Sequence, residues 1–336
     1  MRKLSNGADR LVDDMIDGYV AAYGDIVARA HVPRVVVRRR PKPAGRVGIA
    51  IGNGSGHEPI ALGWVGHGML DANAVGEVFA APSPDLILDA IRAADRGAGV
   101  LLLVSRHAGD VIAAEMAVEL ARDEGREVEP LFMYDDVSSA PKGREEERRG
   151  TPGTTFVYKI VGARAEEGAG LAELAELGAR VRDGTRTLGA ALAPGVSPLT
   201  GRPMFALPEG EAYLGMGAHG EPGLRSVALT TAAELVAAMM PPILDDLPFA
   251  SGDEVLVFVN GMGGTTMMEL LVAYGSVARA LAERGLTPYR PLVGEYVTTQ
   301  EMAGISISIC RSDAELRRLW SAPARVPFFH RPEETT

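Results

Sequence analysis

Strand-length apolar runs alternate with amphipathic helical periods along almost the whole chain, and few folds accommodate that rhythm. "RVGIAIG", "GVLLLVSR" and "EVEPLFMYDD" are short, apolar and partly β-branched, the pattern of strands covered on both faces. Between them, "SPDLILDAIRAADRG" and "GDVIAAEMAVELARDEG" place apolar residues at helical spacing and close on glycine. The helical pattern resumes at "GTTFVYKIVGARAEEG" and "LAELAELGARVRDG", while "KGREEERR" (142–149) reads as a solvated loop or helix end. A second set of elements begins after about Thr187. "AYLGMGAHGEPG" reads as a strand entering a glycine-rich turn, and "AAELVAAMMPPILDDL" as a helix that its proline pair ends. "DEVLVFVNGMGGTT" is another strand–glycine–helix transition, "ISISIC" a late strand and "DAELRRLW" a late helix. The alternation predicts an α/β protein, two α/β lobes with mixed, largely parallel sheets covered by helices. The proline-rich stretch at 191–210 is the boundary candidate, giving an N-terminal lobe 1–190 and a C-terminal lobe 191–336.

Composition narrows the function classes. A net charge of −10 argues against a nucleic-acid groove. The single cysteine, Cys310 in "SISIC", precludes an internal disulfide and reads as a buried structural thiol in a reducing cytosol. No apolar run approaches the roughly 20 residues of a membrane span, and "MRKLSNGADR" has no apolar core of the kind a secretion signal needs. The expectation is a cytoplasmic protein with neither membrane nor nucleic-acid partner.

The stretch Gly52-Asn53-Gly54-Ser55-Gly56-His57-Glu58-Pro59 comes directly after the first of these strands. It lacks the lysine of a P-loop, the third glycine of a dinucleotide fingerprint and the outer glycines of a nucleophile elbow. What remains is a loop whose glycines let backbone approach a ligand, with N–H groups exposed at the start of an expected helix. A plain strand-to-helix turn without ligand is the competing reading. Ligands collect at the carboxyl ends of strands in open α/β sheets, and three loops there carry polar side chains amid glycine: Gly52 to Glu58, Ser105 to Asp110, and Gly215 to Gly223. A fourth, Asn260 to Thr266, has no titratable group. Three of the six histidines, His57, His107 and His219, lie in these loops. A zinc site is the alternative use of such histidines, but no His-x-x-x-His or cysteine pair supports one, so no metal is expected on the chain.

"GNGSGHEP", "GMLDANAVGEVFAAPSPD", "GVLLLVSRHAGD", "RRGTPGTTFVYKIVGA", "GAHGEPG" and "VNGMGGT" resemble, in order, the motifs of the dihydroxyacetone kinase substrate-binding subunit. The resemblance runs from about Leu4 to Pro323. It implies two α/β lobes, a homodimer, and a short-chain ketose held covalently as a hemiaminal on the histidine matching His219. By the same resemblance Asp110 matches the base that takes the proton from the attacking hydroxyl. His57 matches the residue that hydrogen-bonds the substrate, and the backbone of Gly54 a contact to the ketose oxygens. Ser55, Gly56, Ala81, Ser105 and His107 fall at further substrate-contact positions.

The chain departs from the family pattern at Asn53, where glycine is usual, at Ala81, where a serine often contacts substrate, at Ser105, which replaces a lysine, and at His107, where tyrosine is common. Either the pocket is reshaped for a longer, four-carbon erythrulose-like ketose, or catalysis has decayed and the chain only binds; joint retention of His57, Asp110 and His219 favours the first. Nothing in the sequence resembles a nucleotide site, so the chain is expected to bind no cofactor itself. The resemblance implies ATP or ADP with magnesium, or a phosphotransfer relay, on a separate kinase subunit. A non-catalytic ketose sensor that contacts a regulator is the alternative function.

Overall fold

The computed structural model describes residues 3–217, 219–228 and 231–332. The chain divides into two compact units that interleave in sequence. One comprises Leu4–Met133, Thr155–Arg180 and Arg318–Thr336, and the other Met1–Lys3, Tyr134–Thr154 and Val181–Arg317. A cut at 190/191 would pass through the middle of a nine-residue strand, Thr185–Ala193, and the proline-rich stretch after that strand lies inside one unit. Its prolines mark an irregular excursion between paired strands, not a domain boundary.

The first unit opens with α1 (Leu11–Ala22), β1 (Val27–Arg29), β2 (Val35–Arg38), β3 (Gly48–Ser55), β4 (Ala72–Val78), α2 (Pro84–Ala94), β5 (Val100–Ser105), α3 (Ala108–Asp123) and β6 (Val128–Met133). Its two later helices are α4 (Thr154–Glu167), whose first residue belongs to the other unit, and α5 (Leu171–Asp183), which runs on into it. The sheet order is β1-β2-β4-β3-β5-β6. β4, β3, β5 and β6 run parallel, and β1 and β2 add an antiparallel edge. Ala50, Leu102 and Val104 of the sheet share one buried cluster with Ile87 and Ile91 of α2 and Ala114 and Ala117 of α3. Burying each large aliphatic side chain contributes about 1.5–3 kcal/mol before entropy is counted. α2 begins where its sequence says it should: Ser83 accepts the Leu86 N–H (3.4 Å) and proline takes the first position, which needs no donor.

The second unit contains β7 (Thr185–Ala193), β8 (Glu211–Leu214), β9 (Arg225–Ala228), α6 (Ala232–Leu244), β10 (Glu254–Gly261), α7 (Met267–Glu283), β11 (Thr287–Pro288), β12 (Leu292–Gly294) and β13 (Ala303–Arg311). Its sheet order is β11-β10-β13-β7-β8-β9, with β12 also on β10. β11 and β12 pair with β10 in parallel, and the long ladders are antiparallel. The mixed character is as expected, but the parallel part belongs to the first sheet. Val255, Val257 and Val259 of β10 and Ile305, Ile307 and Ile309 of β13 meet α6 and α7 in one buried cluster. Cys310 is fully buried on β13, and burial pushes its thiol up to about 12, so it is inert as read. Among the described residues no helix is long and apolar enough to cross a membrane.

Two local expectations fail for identifiable reasons. α6 runs through Pro241 and Pro242 to Leu244. The pair removes two N–H donors from the last turn without ending it, and the Asp245 N–H closes the helix on the Pro241 carbonyl (2.9 Å). "KGREEERR" is solvated only in part. Arg148 is completely buried and forms a two-pronged bond with Asp246 (2.8 and 2.7 Å), which Arg186 also holds. Burial alone would raise the Asp246 carboxyl, but hydrogen bonds from Arg148 and Arg186 keep it below its ordinary value.

Because two buried guanidinium groups depend on this carboxylate, Asp246→Ala is expected to cost about 3–5 kcal/mol. The loss is read as a lower urea midpoint at unchanged slope. The same linkage has a sign. A depressed folded value means that the stabilisation is complete at neutral pH and is lost as pH falls below about 4. The variant should therefore lose stability on acidification less steeply than the parent.

Candidate active site

Parallel strands β4, β3 and β5 lie side by side, so their carboxyl ends share one edge of the first sheet. The strand order leaves β3 in both directions, toward β4 and toward β5, which is where open α/β sheets bind ligands. Every expected site residue of this unit sits on that edge: Gly54, Ser55, Gly56 and His57 at the end of β3, Ala81 after β4, and Ser105, His107 and Asp110 at the end of β5 and the start of α3.

The glycine string is not a loop leading to a helix. Residues Gly52 to Ser55 are the last turn-free part of β3 itself, and the next helical element is a single 3-10 turn, Leu62–Trp64. No α-helix N-terminus stands here to hold an anion. The Gly56 N–H instead meets the Glu58 carboxylate, at 3.0 and 3.1 Å. Burial lifts the Glu58 carboxyl above its usual range, with backbone N–H groups of Glu58 and Gly56 pulling the other way. Ser55 is buried and donates its hydroxyl to the Gly76 carbonyl (2.6 Å), so the side chain clamps β4. Gly54 is required by close approach: a Cβ there would stand 2.8 Å from the Ala80 carbonyl oxygen. The turn after β4 is thus pressed against the end of β3, and Ala81 reaches α3, 3.4 Å from where a Cβ on Gly109 would be.

His107 precedes α3 and Asp110 lies in its first turn, where a carboxylate complements the helix dipole. The His107 Nδ1 is 3.2 Å from the Ser105 carbonyl and 3.6 Å from the Asp110 carboxylate. Asp110 keeps 12% of its side-chain surface exposed, and His107 keeps 26%. The Asp110 carboxylate thus stands beside the His107 ring with one part open to solvent. Ser105 is buried at the end of β5.

His219 belongs to the second unit, in the turn after β8. Its backbone N–H donates to Glu221 Oε2 (2.8 Å), and its Nδ1 is 3.2 Å from Glu221 Oε1. The ring is not packed away, with 31% of the side chain exposed. Burial acts to raise the Glu221 carboxyl, but the bonds from His219 and the neighbouring backbone hold it well below the usual carboxylate range. Arg149 Nη1 stands 3.7 Å from the same carboxylate, and its Nη2 bonds Asp136 at 2.7 Å. Asp136 in turn accepts from Ser138 Oγ (2.6 Å). An ordered series therefore runs Asp136, Arg149, Glu221, His219.

Sequence reasoning missed Arg149 because it ends a charged run, and Glu221 although the string His-Gly-Glu-Pro displays it. The fourth glycine-rich loop is structural. The Asn260 amide is fully buried and bonds Val297, Ser306 and Tyr296, and Thr266 with Glu269 forms a capping box on α7.

Residues 17–328 match the Dak1 domain. The chain belongs to the Dak1 family. Over 94% of its length it is 42% identical to a Listeria innocua protein named PTS-dependent dihydroxyacetone kinase 1, dihydroxyacetone-binding subunit DhaK, and covers 95% of that protein. It is 41% identical to D-erythrulose kinase of Mycolicibacterium smegmatis over 98% of its own length, but spans only 56% of that enzyme. The dihydroxyacetone kinase of C. freundii shares this Dak1 fold with a TM-score of 0.88 at 32% identity, over 100% of this chain and 62% of that one. A co-activator of the dihydroxyacetone kinase operon, Dha-DhaQ, superposes with a TM-score of 0.85 at 31% identity, over 93% of this chain and 96% of that one.

Proposed function

We propose that this Dak1 chain is the ketose-binding subunit of a dihydroxyacetone-type kinase. It holds dihydroxyacetone or a four-carbon erythrulose-like sugar as a hemiaminal on His219, for phosphorylation by a separate subunit. The observation that carries the reading is the pairing of an exposed His219 ring with Glu221 through Nδ1. A carboxylate at Nδ1 favours the proton there and leaves the lone pair on Nε2. Nε2 adds to the carbonyl carbon, and the carbonyl π electrons move to oxygen. The Nδ1 proton then passes by way of Glu221 to that oxygen, and no atom leaves. Only a ketone or aldehyde reacts in this way, so a polyol is rejected by reactivity and not by shape.

In phosphoryl transfer the protein mostly aligns groups and stabilises charge. On this reading Asp110 takes the proton from the hydroxyl to be phosphorylated, and His57 hydrogen-bonds the substrate. The backbone of Gly54 contacts ketose oxygens, and Gly56, Ala81, Ser105 and His107 shape the wall. Their common place on one sheet edge supports the assignment. The Ser55 hydroxyl, committed to Gly76, contributes through position alone. Small side chains at 81 and 105 leave room for a fourth carbon, and two relatives named erythrulose kinases are about 41% identical to this chain.

The donor is ATP or ADP with magnesium on a partner subunit. The relatives named PTS-dependent and PEP-dependent fit one that is recharged by a phosphotransfer relay. The reading includes a homodimer working in the cytoplasm. The match to an operon co-activator favours a second reading, a ketose sensor without turnover; a sensor needs His219 and not Asp110.

The test is a panel of three- to five-carbon ketoses, aldoses and glycerol with the nucleotide-binding partner. Phosphorylation is expected for ketoses, with a four-carbon ketose at least matching dihydroxyacetone, and none for glycerol. Better turnover of dihydroxyacetone than of any four-carbon sugar would remove the reshaped pocket. Adduct formation without any turnover would establish the sensor.

A further inference from the structure

One residue at the candidate site obeys neither of the ordinary roles of an aromatic side chain. Phe79, immediately after β4, has φ of +59°, the left-handed region that side chains with a Cβ enter at a cost. Glycine or asparagine would ordinarily take such a position, and a phenylalanine there persists only when its surroundings determine it. Nor is it a core residue, because the ring is only half-buried. The end of β3 holds it in place. The Phe79 N–H donates to the Ser55 carbonyl at 2.8 Å. Its ring edge covers the bare α-carbon of Gly56, itself at φ +100°, so closely that a Cβ on Gly56 would lie 2.5 Å from Cε1. Its ring then meets the His57 imidazole, with centroids 5.2 Å apart and planes inclined by 49°. Three successive residues, 55, 56 and 57, therefore rest on this one side chain and its amide.

We infer that Phe79 is a positioning residue, which fixes the His57 imidazole in its working orientation through ring contact and through the backbone that carries it. The inference rests on the proposed kinase reading for what His57 does, but its geometric content concerns the protein alone. The tilted, offset arrangement is the favourable one for aromatic pairs. A purely structural plug would account for the packing on Gly56 but not for a half-exposed ring against a half-exposed imidazole.

Three variants separate the two roles. Phe79→Leu keeps bulk without a ring, Phe79→Gly relieves the backbone while removing the ring, and Phe79→Tyr keeps both ring and backbone. Nuclear magnetic resonance of the intact protein reads the carbon-bound protons of His57, assigned with His57→Gln, across a pH titration. In the parent these resonances are displaced by the neighbouring ring. The displacement should vanish in Phe79→Leu and Phe79→Gly and return in Phe79→Tyr. Turnover of ketose with the partner subunit should fall about 10²-fold in kcat for Leu and Gly at little-changed KM, as expected for a misplaced catalytic group.

Phe79→Gly should unfold no more readily than Phe79→Leu, which keeps those losses from being ascribed to unfolding. Unmoved His57 resonances, or undiminished kcat, in folded Phe79→Leu would overturn the inference. If the unaltered protein formed no ketose adduct, the kinase reading would fail while the resonance displacement still decided the placement of His57.

Discussion

Replacing His219 with alanine is expected to abolish covalent ketose capture and leave the fold intact. The ring is partly exposed, and the Glu221 carboxylate beside it keeps the residue 219 backbone N–H at 2.8 Å and the Arg149 guanidinium at 3.7 Å after truncation. No buried charge is orphaned, so the stability change belongs with ordinary surface substitutions, within about 0.5 kcal/mol. Function has no such reserve. A three- or four-carbon sugar offers little apolar surface, and without the carbon–nitrogen bond its position is set by a few hydrogen bonds of about 0.5–1.5 kcal/mol each, won in competition with water. Turnover should therefore fall with the adduct. Native mass spectrometry with excess ketose checks the first effect and thermal unfolding the second. An adduct on the variant would overturn the assignment of His219.

Asp110→Asn should show the opposite separation. The amide has the shape of the carboxyl but cannot take a proton, and loss of a positioned base typically costs about 10²–10⁴ in rate. Adduct formation, which needs only His219 and Glu221, should survive. The fold should lose about 0.3–1 kcal/mol, because a neutral group replaces a charge in the first turn of α3. Assay of the complex with its nucleotide-binding partner, alongside the adduct measurement, tests both halves. Undiminished turnover would remove Asp110 as the base. Turnover absent from the parent as well, with the adduct present, would leave the sensor.

The parts of the fold legible in the sequence are those where burial dictates composition. β3 and β5 are covered on both faces and read as apolar runs, and α2 announces its start with Ser-Pro. Legibility stops where tertiary context overrides local preference. Gly52 to Ser55 look like a loop because glycine and serine are poor strand formers, yet parallel neighbours on both sides hold Gly52 in β3 and β4 alone holds Asn53. Arg148 looks solvated because its neighbours are charged. It is buried because Asp246, some hundred positions away, meets it.

Motif strings singled out His57, His107 and Asp110 in the first unit and His219 in the second, but not the groups that stand around His219. Glu221 and Arg149 act through a turn that spacing alone does not close. Phe79 matters through a backbone angle that no composition reveals.

The most direct measurement is the mass and location of the product formed when the unaltered protein meets dihydroxyacetone or erythrulose without any partner. The account predicts a gain of the whole ketose, with no water lost, mapped to the peptide containing His219 and lost on removal of free sugar. A gain short by one water, mapped to a lysine, would mean Schiff-base chemistry. Either that result or no adduct at saturating ketose would contradict capture by the imidazole of His219.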